Sequence, residues 1–139
     1  MKLVLGYNGS DSSNKALMLV QKYAKDFQAT VHLLMSLIGE NTLATASTWN
    51  VTGDDIVKEA KSRLEVAKKT LVQEGITCET HLLISGLEPG EDIVDFAKKI
   101  DADFIVVGIG RTSRVGKMFF GSNAQYVILE AFCPVITVK

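Results

Sequence analysis

Two glycine-bearing stretches, each following an apolar run, hold the residues best suited to bind a ligand. They are GYNGSDSS at residues 6–13 and GIGRTSR at residues 108–114. Three basic residues lie in or near the second stretch: Arg111, Arg114 and Lys117. A Gly-Ser pair at Gly121 and Ser122 then opens a helical pattern, and a helix N-terminus favours an anion. This combination predicts a phosphate-binding loop; the alternative is a mobile solvated loop whose basic residues serve only solubility.

Two common phosphate motifs do not fit this loop. A P-loop has four residues between its glycines and a Ser or Thr after the lysine, whereas five separate Gly110 from Gly116 and Met118 follows Lys117. A dinucleotide-binding fingerprint requires glycine where Ser113 stands, and it follows the first strand of its unit rather than the fourth. The loop therefore belongs to neither class.

The elements that must position these loops alternate along the chain. Five short, near-continuous apolar runs are typical of parallel strands buried on both faces: residues 3–5, 31–37, 80–85, 103–107 and 134–138. Helical spacing of apolar residues fills the intervals, over residues 16–27, 56–71, 93–100 and 124–131. The alternation predicts a single α/β domain over residues 1–139, a doubly wound three-layer α/β/α sandwich.

Capping residues support the predicted helices. The start of the first helix is suited to Ser10 or Asp11, and the start of the second to Asp54 or Asp55. The opening turn of the third helix is suited to Pro89, and the start of the fourth to Ser122. We expect Cys133 to end the last helix because it precedes a proline. In such sheets ligands bind outside the carboxyl ends of the strands, so the two glycine loops share one crevice if their strands are neighbours.

Composition excludes several classes of protein. A net charge of −1 argues against duplex nucleic acid as a partner, and no apolar run is long enough to span a membrane. Cys78 and Cys133 lack the spacing of a metal or redox site and are interpreted as small buried residues. The N-terminal apolar stretch is too short for a secretory signal, so we expect a cytoplasmic protein. The long segment between Gly39 and Gly53 is interpreted as a loop pinned by Trp49.

No catalytic arrangement stands out. His32 and His81 lie within predicted strands among apolar neighbours and are interpreted as packing residues, and no nucleophile elbow or HExxH motif is present. The stretch GSDSS at residues 9–13 partly resembles the loop of adenylating ATP pyrophosphatases but lacks its paired glycines. We predict no catalytic residue and, at most, slow ATP hydrolysis.

The second loop resembles the signature of the universal stress protein family: a Gly-x-x-Gly, nine residues, then Gly-Ser, followed by a helix and a Cys-Pro-Val strand. Here Gly108, the nine residues 112–120 before Gly121 and Ser122, and the Cys-Pro-Val at 133–135 fall in place. The resemblance spans essentially the whole chain. It implies an adenine nucleotide alpha hydrolase-like sheet ordered 3-2-1-4-5, a dimer formed through the C-terminal strand, and a regulatory, nucleotide-binding role in stress.

The resemblance also implies a binding site for ATP or another adenine nucleotide. Gly6 and Asn8 would line the ribose side, and Ser36 would offer backbone to adenine. Phosphate contacts would fall to Gly108, Ile109, Gly110, Arg111, Thr112, Ser113, Arg114, Gly121, Ser122, Asn123 and Ala124. Two residues depart from the family's pattern: Arg111 replaces the second signature glycine, and Asn8 stands where binding members often have aspartate.

The departures define two alternatives. Asn8 has no charge with which to hold a hard cation, so we expect weak Mg²⁺ dependence and a preference for AMP or ADP over metal-ATP. Arg111 favours a dimeric stress interaction protein that binds no nucleotide, whereas the retained glycines and basic residues favour nucleotide binding. The exposed apolar edge expected of the last strand also predicts a homodimer.

Overall fold

Strands and helices alternate along the chain. The computed structural model describes residues 1–37, 53–112, 118–119 and 121–139. Within these residues one sheet holds five strands: β1 (Lys2–Gly6), β2 (Thr30–Ser36), β3 (Cys78–Leu83), β4 (Phe104–Gly108) and β5 (Val135–Val138). The helices of these residues are α1 (Asp11–Phe27), α2 (Gly53–Val72), α3 (Pro89–Lys99) and α4 (Ser122–Glu130). Arg111–Thr112 and Met118–Phe119 pair separately as a short antiparallel ladder.

The strand order confirms the predicted topology. The sheet runs β3-β2-β1-β4-β5 with every pairing parallel, which is the order 3-2-1-4-5. β1 therefore lies in the middle, with Gly6 level with Leu34 of β2 on one side and with Val107 of β4 on the other. The loops that follow β1 and β4 consequently leave the same edge of the sheet side by side.

Alternate residues of the central strands fill two separate cores. On one face, Leu5 and its neighbours pack against the buried sides of α1 and α2, which include Val20 and Leu64. On the other face, Val4 and Ile105 pack with residues of α3 and α4. Since α1 buries Ala16, Val20 and Ala24 at four-residue intervals, its apolar stripe follows the helical period that the sequence shows.

The edge strands differ from the prediction of burial on both faces. β3 and β5 are mostly half-buried, whereas the inner residues of β1, β2 and β4 are buried throughout. An edge strand has a neighbour on one side only, so helices cover less of it. β3 also begins at Cys78 rather than at residue 80, because its ladder with β2 starts at the pair Val31 and Cys78.

The helix ends confirm most of the predicted signals. Ser10 is the N-cap of α1 and accepts a hydrogen bond from the Ser13 N–H at 3.3 Å, and Pro89 opens α3. The predicted end of the last helix was wrong: α4 ends at Glu130, and Ala131 is already extended, with ψ of 139°. The Pro134 carbonyl accepts the Ile105 N–H at 3.0 Å, so only residues 131–133 separate the helix from the sheet.

Several sequence predictions fall outside the described residues. These are the long loop up to residue 52, with its Trp49, and three residues of the predicted phosphate-binding loop: Ser113 and the basic residues Arg114 and Lys117. Among the helices that the structure does describe, none combines the length and the apolar character needed to cross a membrane.

Candidate functional site

A cavity of about 200 Å³ lies at the carboxyl ends of β1 and β4, where the chain connections diverge. Its floor is formed by apolar side chains of the sheet and of α3 and α4, and its rim by polar residues of the first loop and the start of α4. The lining residues are Gly6, Tyr7, Asn8, Ser10, Ser13, Leu34, Ser36, Pro89, Ile93, Val107, Gly108, Asn123, Ala124 and Val127. This is the position at which open α/β sheets bind ligands.

The first loop is held by hydrogen bonds within itself. The Asn8 side-chain oxygen accepts from the Ser10 N–H at 3.0 Å, and Gly9 adopts a φ of +80°, which glycine takes without strain. The Ser10 hydroxyl then caps α1. The oxygen of Asn8 therefore already serves the turn that forms this wall of the cavity.

Gly108 is a place of close backbone approach. A Cβ added there would lie 2.5 Å from the carbonyl carbon of Ser12 and 2.7 Å from the Ser13 nitrogen. Because both atoms belong to the first turn of α1, no side-chain rotation would relieve the clash. Glycine at this position thus lets the end of β4 contact the start of α1 directly.

The N-terminus of α4 opens on the cavity without a side-chain cap. Gly121 is its N-cap residue, no acidic residue lies in the first turn, and the intrahelical bonds start with the Gln125 N–H donating to the Gly121 carbonyl at 3.0 Å. The N–H groups of Ser122, Asn123 and Ala124 precede that bond, so they have no acceptor within the helix. By contrast, α1 is capped by Ser10, and α3 by a capping box. The partial positive charge of α4 is therefore available to an anion.

Asn123 anchors α4 against α3. Its side-chain oxygen accepts from the Gly90 N–H at 2.9 Å, and a Cβ on Gly90 would lie 2.8 Å from the Asn123 carbonyl oxygen. Gly90 thus allows the two helices to meet at their first turns. The contact fixes the direction in which the N-terminus of α4 points.

A buried carboxylate supports the end of β2. Asp92 is 3% exposed, and its two oxygens accept from the hydroxyls of Ser36 at 2.5 Å and Ser85 at 2.6 Å. The Ser36 hydroxyl is therefore directed to α3, which is consistent with a role for Ser36 through its backbone. Hydrogen bonds to an ionised acceptor are stronger than neutral ones, so this triplet holds the carboxyl ends of β2 and β3 to α3.

A basic residue of α2 extends the site beyond the first cavity. Arg63 donates to the Asn8 carbonyl oxygen at 3.4 Å and to Glu59 at 2.7 Å. It lines a second cavity of about 160 Å³ that shares Asn8 and Ser36 with the first. Burial raises the pKa of the nearby Tyr7 hydroxyl, an effect that the positive charge of Arg63 opposes.

The structure brings six of the fourteen predicted site residues into the first cavity: Gly6, Asn8, Ser36, Gly108, Asn123 and Ala124. Gly121 and Ser122 lie exposed at the adjoining helix end. Ile109 is buried, and its N–H donates to the Val138 carbonyl at 2.7 Å. Gly110 is exposed beside α1. Arg111 and Thr112 pair with Phe119 and Met118 in the short ladder. Ser113 and Arg114 lie outside the described residues.

Sequence reasoning missed part of the site. Arg63 lies in the middle of an amphipathic helix, where an exposed arginine carries no functional signal. The sequence predicts Pro89 only as part of a helix start and Ile93 only as an apolar core residue, although both line the first cavity. The capping signal at Pro89 could have indicated that this turn lies at the carboxyl edge of the sheet, beside the loops.

Comparison with known proteins identifies relatives along the whole chain. The model of the Universal stress protein family matches residues 1–139. A universal stress protein of Methanocaldococcus jannaschii is 32% identical, and the alignment covers 99% of this chain and 81% of that protein. The structure of a universal stress protein from Archaeoglobus fulgidus is 38% identical with a TM-score of 0.81, covering 100% of this chain and 98% of that one.

A further structure of the Archaeoglobus fulgidus universal stress protein is a complex with dAMP. It is 36% identical to this chain, with a TM-score of 0.76, and the match covers 100% of this chain and 98% of that one.

Proposed function

Since the chain belongs to the universal stress protein family, we propose that it is a dimeric regulatory protein that binds an adenine nucleotide in the cavity between β1 and β4. The observation that carries this proposal is the N-terminus of α4, whose first N–H groups have no acceptor within the helix and lie at a cavity on the ligand-binding edge of the sheet. The dAMP complex of the 36% identical relative supports the choice of an adenine nucleotide.

We expect the nucleotide to bind in one orientation. The phosphate would lie at Gly121, Ser122 and the N–H groups that follow, where the helix charge favours it. The ribose would lie beside Gly6 and Asn8, and the base would extend along the end of β2 at Ser36. The two cavities that meet at Asn8 and Ser36 provide room for this arrangement.

Mg²⁺ has a small role in this proposal. Asn8 is uncharged, and its side-chain oxygen accepts the Ser10 N–H, so this position of the first loop offers no carboxylate to a cation. A hard divalent cation prefers carboxylate oxygens. We therefore expect a monophosphate or diphosphate to bind about as well without Mg²⁺ as with it.

Calorimetric titration tests nucleotide binding directly. AMP, ADP, ATP, dAMP and cAMP are added to the purified protein with and without Mg²⁺, and mass spectrometry identifies small molecules released on denaturation. Binding of at least one adenine nucleotide, unchanged by chelation of Mg²⁺, is expected. If millimolar nucleotide gives no heat and no nucleotide is released, the proposal is refuted.

A substitution at Gly121 tests the position of the phosphate. No described atom lies within 4 Å of a Cβ at Gly121, so Gly121→Val leaves the protein's own packing intact while filling the approach to the helix N-terminus. Affinity should fall at least about tenfold, which corresponds to about 1.4 kcal/mol, and Gly121→Ala should have a smaller effect. Unchanged affinity in Gly121→Val, with a normal circular dichroism spectrum, would place the phosphate elsewhere.

The outer edge of β5, which pairs with no further strand among the described residues, is the proposed dimer interface. Pro134 and Val138 direct their carbonyls to β4, so by strand alternation the N–H of Thr137 points away from the sheet. Leu129 and Phe132, which shortly precede β5 in the chain, are exposed. Two such edges would pair by main-chain hydrogen bonds across a two-fold axis.

Thr137→Pro removes the outward N–H without breaking the ladder to β4, and Thr137→Ala is its matched control. Light scattering after size exclusion should show a dimer for the wild-type protein and the alanine variant, and a monomer for the proline variant. A dimer of unchanged affinity in Thr137→Pro would exclude this edge.

A stress interaction protein that binds no nucleotide is the second candidate function. Gly108 favours it, because backbone packing against Ser12 and Ser13 already explains a glycine at this signature position. The titration with nucleotides separates the two functions.

A further inference from the structure

Three metal-ligating side chains lie together outside the nucleotide cavity. His32 of β2 is level with Glu79 of β3, and Glu79 and His81 are two residues apart on the same strand. Side chains two apart on a strand point to the same face, and so do paired residues on neighbouring strands. The sheet register therefore places all three side chains on the face that α3 covers.

Their ligand atoms have the spacing of a coordination site. Nδ1 of His32 lies 3.1 Å from Nε2 of His81 and 3.3 Å from Oε2 of Glu79, and the last two atoms are 3.9 Å apart. A tetrahedral zinc ion with ligands at about 2.0–2.1 Å separates its donor atoms by about 3.4 Å. A single point about 2.0 Å from all three atoms exists within this triangle.

The three side chains differ in their freedom to move. His32 is 7% exposed, and its ring centroid lies 5.9 Å from that of Phe96, which is also 4.4 Å from the ring centroid of His81. The side chains of His81 and Glu79 are 26% and 60% exposed. The imidazole rings are 25° from parallel with their centroids 5.3 Å apart, so a shared ion requires the more exposed His81 ring to turn towards His32.

The site is open to solvent on one side. A groove of about 560 Å³ reaches His32 and Glu79 and is also lined by Lys2, Lys99 and Asp101. The two lysines oppose a cation and the two carboxylates favour it, so the groove as a whole is nearly balanced in charge.

We propose that His32, Glu79 and His81 bind one divalent transition-metal ion of the Zn²⁺ class, with a fourth position open to the groove. Two imidazoles and one carboxylate are a ligand set that zinc accepts when it retains a water or an exogenous ligand. This site is independent of the proposed nucleotide site. The alternative is a ligand-free cluster in which one imidazole donates a hydrogen bond to the other.

Metal titration distinguishes a metal site from a ligand-free cluster. Metal-free protein without an affinity tag is titrated with Co²⁺, read by its visible absorption, and with Zn²⁺ in competition with a chromogenic chelator. The chain contains two histidines, so NMR of the imidazole nitrogens reports directly on the proposed ligands. We expect one ion per chain, with both histidine signals shifting together.

Variants of the two accessible ligands locate the site. Glu79→Gln should weaken binding at least about tenfold, since even loss of an outer-shell partner has an effect of that size, and His81→Gln should weaken it further. Glu65→Gln removes an exposed carboxylate from α2 and should leave metal affinity unchanged. Circular dichroism of each variant confirms that it is folded, and AMP titration of Glu79→Gln should match that of the wild-type protein if the two sites are independent.

The proposal is overturned if no ion binds at stoichiometric concentration, or if Glu79→Gln and His81→Gln both bind as the wild-type protein does. It is also overturned if Cys133→Ser alone abolishes binding, because the half-buried thiol of Cys133 would then be the ligand.

Discussion

Gly108→Ala separates a packing role for the signature glycine from a role in binding. The added methyl group would lie 2.5–2.7 Å from three backbone atoms of Ser12 and Ser13. Real Cβ contacts do not reach these distances, so α1 or the end of β4 must shift. Gly108 has no positive φ, and the strain is therefore purely steric.

The expected loss of stability in Gly108→Ala follows from two opposing contributions. Overpacking of a rigid environment destabilises by about 1–3 kcal/mol, and backbone neighbours favour the upper end of that range. Replacing glycine by alanine restores about 0.4–1 kcal/mol by restricting the unfolded chain. The net loss is about 2 kcal/mol. With an unfolding entropy of about 2.1 cal/mol/K per residue over 139 residues, this lowers Tm by about 7 °C.

Calorimetry and urea denaturation of the ligand-free protein measure this loss. Gly121→Ala is the matched control, since its Cβ meets no described atom within 4 Å, and its stability should change by less than about 1 kcal/mol. If Gly108→Ala is as stable as the wild-type protein but loses nucleotide affinity, then the glycine serves the phosphate and the packing argument fails.

Three further predictions concern stability. Gly90→Ala should destabilise by about 1–3 kcal/mol, because its Cβ would meet the Asn123 carbonyl at 2.8 Å; equal urea midpoints would contradict the close helix contact. Asp92→Ala should lower the free energy of unfolding by about 3 kcal/mol, because the Ser36 and Ser85 hydroxyls lose their acceptor. A loss below about 1 kcal/mol would show that the triplet contributes little to stability. Burial raises the pKa of the Cys78 thiol from 9.0 to about 11. The folded state therefore holds this proton more tightly than the unfolded state, and the free energy of unfolding should fall as the pH rises from 9 to 11. Cys78→Ala should reduce that fall. The same alkaline stability profile in Cys78→Ala and the wild-type protein would contradict this prediction.

Much of the fold was determined by local sequence. The apolar runs and the helical spacing between them identify each sheet strand and each helix, because buried parallel strands and amphipathic helices have distinct periods. The motif from Gly108 to Gly121 and Ser122 indicates the family, and with it the strand order and the crevice. Capping residues such as Ser10 and Pro89 predict helix starts because their effect is confined to one turn.

Tertiary structure decided what depends on contacts between distant segments. The glycine at residue 108 is required by the backbone of Ser12, nearly a hundred residues away, and Asp92 meets Ser36 across a helix and a strand. His32 and His81 are unremarkable within their strands, and only the β2–β3 register places them beside each other and Glu79. A sequence specifies each strand through its own side chains, but a shift of one residue in register would turn one strand's ligands to the opposite face, so the site exists only in the assembled sheet.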